Sequence, residues 1–235
     1  MRKDKIALVV HPLHSWGGGE YYLKTLSDLF PKAPIYTAWY LPDFVDEYFG
    51  NRRIISSYLQ KLPLKKLLKQ ELVPLLPKAY NKFDFRAYDL VLAVSDGFEK
   101  NLTIEGTTKL WLHILTPTRF LWLENRAARD SKKLTYKIYK SFLEKPLHQK
   151  WHQLDRKAAR RADFITSISN TVAKRVHKYY GLASKVVYPP VELSSAALRK
   201  EVISREDWFL YFGRIETYKG VELAIKACIE MKSQL

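Results

Sequence analysis

The run Ile6-Ala-Leu-Val-Val10 is apolar without interruption. After a short loop come Gly17-Gly-Gly-Glu20 and then Tyr22, Leu23, Leu26, Leu29 and Phe30 at helical spacing. A strand that is apolar on both sides must be buried on both faces, which calls for a parallel sheet covered by helices. Strand, glycine loop and helix are the opening unit of a doubly wound α/β fold. The pattern recurs: Ile35–Trp39, Asp89–Val94, Lys109–Ile114 and Asp163–Ile168 read as strands, and Val186–Tyr188 as a shorter one. Helices are expected at about Leu64–Val73, over Thr135–Ala162 with a break at Pro146, and at Asn170–Tyr180, where Gly181 stops the helix.

Tyr188-Pro-Pro-Val191 is stiff, because each proline fixes its own φ and restricts the residue before it. The polar, aperiodic stretch after it reads as a linker. The pattern then restarts with a strand at Trp208–Phe212, a loop from Gly213 to Gly220 and a helix from Val221 to Lys232. The expected organisation is a Rossmann-like domain over 1–190, a linker over 191–206, and over 207–235 the first βα unit of a second, truncated Rossmann-like domain.

Composition narrows the function classes. A lone cysteine, Cys228, excludes an intramolecular disulfide framework and a multi-cysteine zinc site. Ile6–Val10 is too short for a signal peptide, and no stretch approaches the roughly 20 apolar residues of a membrane span, so the expected location is cytoplasmic. The formal net charge of +16 implies an anionic partner. That charge is concentrated: residues 52–86 hold nine basic and two acidic side chains, and residues 126–178 hold fifteen and four. In Leu64–Val73, the leucines 64, 67, 68 and 72 share one helical face while Lys65, Lys66 and Lys69 lie away from it. Such a basic amphipathic helix suits an anionic membrane surface, on the inner face of the membrane, although the same stripe equally suits a core. No nucleic-acid motif accompanies the charge, and nucleic acid is not an expected partner. No metal or cofactor is expected: His148 and His152 are spaced to share a helical face but lack a third ligand, and there is no Gly-x-Gly-x-x-Gly of a dehydrogenase.

Two loops carry phosphate-binding chemistry. Gly17, Gly18 and Gly19 let a ligand approach the backbone at a helix N-terminus. Arg214 and Lys219 place a guanidinium fork and an ammonium before another helix, ending at Gly220, where they could clamp a diphosphate. Gly213-Arg-Ile-Glu-Thr-Tyr-Lys-Gly220 resembles the signature of family 4 glycosyltransferases, retaining enzymes of the GT-B fold. Gly17-Gly-Gly-Glu20, Tyr88-Asp-Leu-Val91, Thr116-Pro-Thr-Arg119-Phe-Leu-Trp122, Asp163–Asn170 and Val187–Glu192 follow in the family's order. Ser57–Pro63 with Leu75-Leu-Pro77 resembles the branch containing bacterial mannosyltransferases of surface-polysaccharide assembly.

The resemblance implies the N-terminal half of a GT-B fold and transfer of a hexose, mannose being the nearest parallel, with retained configuration and no required metal. The donor would be a nucleotide-sugar such as GDP-mannose or a UDP-sugar, and the acceptor a glycan or lipid-linked sugar. By the same resemblance Arg214 and Lys219 neutralise the leaving diphosphate, Gly18 and Gly19 face the donor phosphates, and Glu20, Asp96, Thr116 and Arg119 lie on the acceptor side. The sequence departs from the family where a histidine precedes Thr-Pro: Leu115 stands there, and His113 is the candidate substitute. Asp96 stands where the family has a second histidine. Glu222 and Glu230 imitate the family's glutamate pair but follow Lys219 too closely and read as exposed helix positions. The chain by itself is expected to be inactive. The alternative is a non-catalytic module, derived from such an enzyme, that binds acceptor or membrane.

Overall fold

The computed structural model describes residues 5–63, 65, 67–68, 71–122, 144–191, 208–213, 215 and 220–231. The chain divides into two compact units, Met1–Leu123 with Leu143–Pro190, and Glu124–Phe142 with Val191–Leu235.

The first unit is an α/β Rossmann-like layer structure. Its strands are β1 (Ile6–Val10), β2 (Ile35–Thr37), β3 (Ile54–Ser56), β4 (Leu90–Ser95), β5 (Lys109–Ile114), β6 (Phe164–Ser167) and β7 (Lys185–Val186). They form one seven-stranded sheet in the order β3-β2-β1-β4-β5-β6-β7. All pairings are parallel. The uninterrupted apolar strands follow from double-sided burial. Ala7, Val9, Val91, Ala93, Leu110 and Leu112 enter one core with Trp39, Tyr80 and Phe85. Leu8, Val10, Leu92 and Val94 enter the other with Tyr22, Leu23, Leu26 and Phe44. Each fully buried valine or leucine among them contributes about 1.5–3 kcal/mol of apolar transfer energy.

Helix Gly18–Leu29 turns Tyr22, Leu23 and Leu26 onto the second core. Helix Asn170–Tyr180 is bounded as its sequence requires: the Ser169 hydroxyl accepts from Val172 N, and Gly181 closes it at φ 68°. Helix Glu144–Ala159, as far as it is described, contains Pro146 near its beginning. The expected residues 135–143 of that helix lie outside the described residues.

Three further differences from the sequence expectation have physical causes. Helix Pro42–Phe49 and strand β3 carry no long period and were not foreseen; Pro42 starts the former, and the half-buried Ile54 and Ile55 extend the sheet edge. Among the described residues of Leu64–Val73 there is no α-helix, only turns leading into a 3-10 turn at Val73–Leu75. Leu72 alone of its described leucines is buried, whereas Leu67 and Leu68 are exposed. In the second unit the described backbone of Trp208–Phe212 is not a strand. Trp208 is a single bridge residue, and Leu210 and Phe212 are exposed. Helix Val221–Glu230 does follow Gly220, with Cys228 buried and Glu222 and Glu230 exposed.

Candidate functional site

In a sheet of this order the connections leaving β1 and β4 run to opposite sides, which opens a crevice at their carboxyl ends. His11, the first residue after β1, lies at that crevice. The Tyr80 hydroxyl donates to the Val10 carbonyl at 2.8 Å, and the Thr37 hydroxyl donates to the His11 carbonyl at 2.8 Å. Those two bonds fix the end of the strand from below.

The imidazole reaches across to the helix that starts at Gly18. His11 Nε2 lies 2.6 Å from Glu20 Oε1. An ionised carboxylate only accepts, so Nε2 carries the proton. On the other side His11 Nδ1 faces Asp96 Oδ1 at 3.6 Å, and that buried nitrogen has no hydrogen-bond partner. Glu99 closes the floor: its Oε2 accepts from Ser95 Oγ at 3.0 Å and from Gly97 N at 2.8 Å. Burial by itself would lower the pKa of His11, but the carboxylates of Asp96, Glu20 and Glu99 raise it from 6.5 to about 9. For Glu20 burial works upward, yet the bond to His11 and its charge hold the carboxyl below its usual value. Burial and the neighbouring Asp96 push Glu99 up.

The glycine loop serves this pair. A Cβ on Gly19 would lie 2.9 Å from His11 Cε1 and 3.2 Å from Leu115 Cδ1, so Gly19 admits the imidazole. A Cβ on Gly17 would lie 3.1 Å from Glu20 Oε2. Around Gly18 there is open space, with nothing within 4 Å of a Cβ position, and its backbone is accessible. The helix N-terminus is therefore already faced by its own carboxylate on the inside and is open on the outside.

A buried ion pair holds the Asp96 turn. Lys100 Nζ lies 2.8 Å from Asp155 Oδ1, with the two side chains 1% and 0% exposed. The same ammonium donates to the Gly97 carbonyl and, at 2.7 Å, to the Thr118 hydroxyl. That hydroxyl in turn donates to Asp155 Oδ1 at 2.7 Å. Asp155 Oδ2 accepts from Trp122 Nε1 at 2.7 Å and from the Tyr180 hydroxyl at 2.8 Å. Burial would discharge Lys100, but the Asp155 charge keeps it well above the usual lysine value.

Among the expected site residues, the fold brings Gly19, Glu20 and Asp96 together around His11, with Gly18 exposed beside them in the chain. His113 is separate. It is buried on β5, its ring stacked on Tyr22 at 4.4 Å, with Nδ1 2.8 Å from Thr166 Oγ1. Trp111 Nε1 also donates to that hydroxyl, at 2.8 Å. His113 Nε2 is buried with no hydrogen-bond partner. Burial holds His113 neutral, with its pKa lowered to about 4. Thr116 is buried with its hydroxyl unpartnered, and Arg119 is the exposed first residue of helix Arg119–Trp122. Lys65 donates to the Gln60 carbonyl at 2.9 Å. Lys66, Lys69, Arg214 and Lys219 lie outside the described residues. His11 was not foreseen, because its partners Glu20 and Asp96 are near it only in space.

No protein-family model and no curated protein matches the chain by sequence. Solved structures do. The likeness is distant, and it is to two glycosyltransferases and an epimerase. The apo lipopolysaccharide outer core galactosyltransferase WaaB superposes with a TM-score of 0.42 at 12% identity, over 81% of this chain and 47% of that one. The glycotransferase of kitacinnamycin gives 0.37 at 9% identity, over 86% and 56%. A UDP-N-acetylglucosamine 2-epimerase gives 0.31 at 12%, over 74% and 45%. The chain thus spans about half the length of the structures it matches.

The site has a pH signature. The stabilisation from charging His11 is fully present below its ordinary pKa of 6.5 and is lost as pH rises to about 9. The loss should approach ~3 kcal/mol, and His11→Gln should flatten stability across that interval. The His11 Cε1 proton should titrate by NMR with a midpoint near 9. A midpoint at or below the ordinary value would remove the carboxylate cage. No helix among the described residues is long and apolar enough to cross a membrane.

Proposed function

We propose that this chain is the acceptor-side part of a retaining glycosyltransferase of the GT-B type, moving a hexose from a nucleotide-sugar to a glycan or lipid-linked acceptor. The observation that carries the reading is the His11–Glu20–Asp96 cluster under the Gly17–Gly19 turn, at the crevice where open α/β sheets bind ligands. Carboxylates with spare acceptor oxygens beside a protonated imidazole suit a neutral, hydroxyl-rich ligand. The open backbone at Gly18 leaves a route for the donor diphosphate at the outer side of the helix N-terminus. The motif at Gly213–Gly220 supplies the cations, with Arg214 and Lys219 as the groups on the leaving diphosphate. GDP-mannose and UDP-hexoses are the first donors to test.

The test is transfer of labelled sugar with a complete donor domain supplied, in cis or as a companion chain. The anomeric configuration of the product is read by NMR. Retained configuration supports the reading; inversion, or no transfer from any nucleotide-sugar, overturns it.

A lipid-linked acceptor is met at a membrane. Leu67 and Leu68 are exposed between lysines of the sequence, which keeps the anionic-surface proposal open without a helix. About 1 kcal/mol per lysine near anionic lipid gives three lysines roughly 3 kcal/mol. Cosedimentation with phosphatidylserine vesicles should exceed that with phosphatidylcholine vesicles, and should fall with salt and with Lys65/Lys66/Lys69→Glu. Equal binding to both vesicle types would end this part of the reading.

A further inference from the structure

The dense positive charge near the end of the first unit has no part in the reading above, and the fold gathers it on one side of the sheet. Residues 145–181 hold nine basic and two acidic side chains. Both acids are committed elsewhere: Asp155 is buried against Lys100, and Asp163 Oδ1 lies 2.9 Å from Lys109 Nζ. What remains outside is cationic. Lys150 and Lys157 are exposed on helix Glu144–Ala159, two turns apart, and Arg160 is exposed just past its end. Lys174 and Lys178 are exposed on helix Asn170–Tyr180, one turn apart. The two helices lie side by side: Arg156 Nε donates to the Tyr179 carbonyl at 2.8 Å, and a Cβ on Gly181 would lie 3.8 Å from an Arg160 guanidinium nitrogen. Inward, Ala159, Val172 and Val176 fill the first core. Among the described residues none of the five exposed cations pairs with a carboxylate. Like charges four residues apart on a helix repel, as Lys174 and Lys178 do, so this face stands unneutralised.

The opposite layer is the reverse. Helices Gly18–Leu29 and Pro42–Phe49, which pack on the second core, carry five acidic side chains and a single base, Lys24. Charge in the first unit is thus polarised across the sheet, and one of its two helical faces alone suits an anionic surface. We infer that the paired helices Glu144–Ala159 and Asn170–Tyr180 form a docking face for an anionic lipid bilayer. The face extends the anionic-surface part of the reading above, on which it rests for its partner, to residues which that reading does not use. Two observations favour a bilayer over nucleic acid. The described aromatic rings of these helices are turned into the fold, Trp151 against Phe98 at 5.9 Å and Tyr179 against Trp122 at 5.2 Å, so they offer bases no platform. The stretch that packs on the same core through Leu72 and Leu76 exposes Leu67, Leu68 and Leu75 on that side of the sheet. Leucines gain from the acyl boundary of a bilayer and cations from its headgroups, whereas a phosphate backbone rewards only the cations.

The test is cosedimentation with vesicles of equimolar phosphatidylcholine and phosphatidylserine, and of phosphatidylcholine alone. The chain should prefer the anionic vesicles, and the combined change Lys157→Glu, Arg160→Glu, Lys174→Glu and Lys178→Glu should lower its partition by about 10-fold or more. Glutamine at the same four positions should give a smaller loss, and Lys24→Glu, on the opposite layer, should bind as wild type does. Thermal melting checks each fold; if the glutamate variant melts early, the glutamine variant decides, because it removes charge without adding any. Equal binding to both vesicle types, or unchanged binding by both fourfold variants, overturns the face. A loss confined to Lys65/Lys66/Lys69→Glu also overturns it and leaves the leucine–lysine stretch as the contact. Binding of single-stranded nucleic acid through the same four cations, without vesicle binding, overturns it as well. With a donor domain supplied, wild-type transfer to a water-soluble acceptor by a glutamate variant that no longer binds vesicles supports a docking role. Vesicle binding that needs the four cations, in a protein that transfers no sugar, supports the face and overturns the transferase.

Discussion

Replacing Asp155 with alanine is expected to destabilise the first unit by about 3–5 kcal/mol, the range for removing one partner of a buried ion pair. The carboxylate is fully buried and serves four donors: Lys100, Thr118, Trp122 and the Tyr180 hydroxyl. Alanine leaves the Lys100 amine at 1% exposure without its counter-charge, so that burial acts to discharge it, and it strips the indole and the phenol of their acceptor at the same time. In a unit of this size the loss corresponds to a melting temperature lower by roughly 10 °C. Asp155→Asn keeps the shape and part of the hydrogen bonding and should fall between. The paired change Lys100→Met with Asp155→Leu should recover much of the loss, because apolar groups of similar volume remove the desolvation cost of both charges. An alanine variant that melts within about 2 °C of wild type would show that the network does not carry the fold.

The second large effect concerns turnover. With a complete donor domain present, Arg214→Ala and Lys219→Ala should each lower sugar transfer by about 10²-fold, as for removal of one group that stabilises developing charge. Both are argued from the motif Gly213–Gly220, where a cation fixed beside the diphosphate gains strength as the glycosidic bond breaks. The loss should therefore appear in kcat more than in KM. Arg214→Lys should not rescue fully, since an ammonium cannot reproduce the guanidinium fork on two phosphate oxygens. The two losses need not add, because both cations act on one leaving group. Turnover at the wild-type level in both variants would remove them from the site.

What the sequence revealed and what it hid differ in kind. Strand β1 and residues Leu90 to Val94 of β4 are uninterrupted apolar runs, and such runs announce a buried parallel strand wherever they occur. Helix Asn170–Tyr180 carries its own start and stop in Ser169 and Gly181. By contrast, β3 is three half-buried residues whose strand state depends on β2 beside it. The stretch Leu64–Val73 shows the reverse error: a leucine period with good helix formers, yet only Leu72 of its described leucines finds a core. Periodicity states what a helix would bury, and packing decides whether one forms.

The candidate site was half legible. Gly18, Gly19 and Glu20 are consecutive, and their chemistry can be read from a single loop. His11 could not be singled out that way, since a lone histidine after a strand is ordinary until the strand order puts β4 next to β1 and Asp96 next to the ring. Likewise Lys100 and Asp155 read as two charges among many, and only the third dimension makes them a pair. His113 was expected as a substitute for an absent histidine, and the structure shows its ring stacked on Tyr22 and its Nδ1 beside Thr166 Oγ1.

The position of β1 in the sheet bears on how the polypeptide emerges from the ribosome. Strand β1 lies inside the sheet, and one of its two neighbours is β4, reached only after the long run of residues that parts Lys5 N from its partner Asp89 Oδ2, a sequence separation of 84. One edge of β1 therefore waits unpaired while those residues are translated, and at 5–20 residues per second that is a delay of several seconds. During it, an apolar strand with a bare edge is a template for association with other nascent chains. Cotranslational assembly should accordingly begin with β1, β2 and β3 as a one-sided sheet, and a holdase that shields that edge until β4 arrives would raise the yield of folded protein.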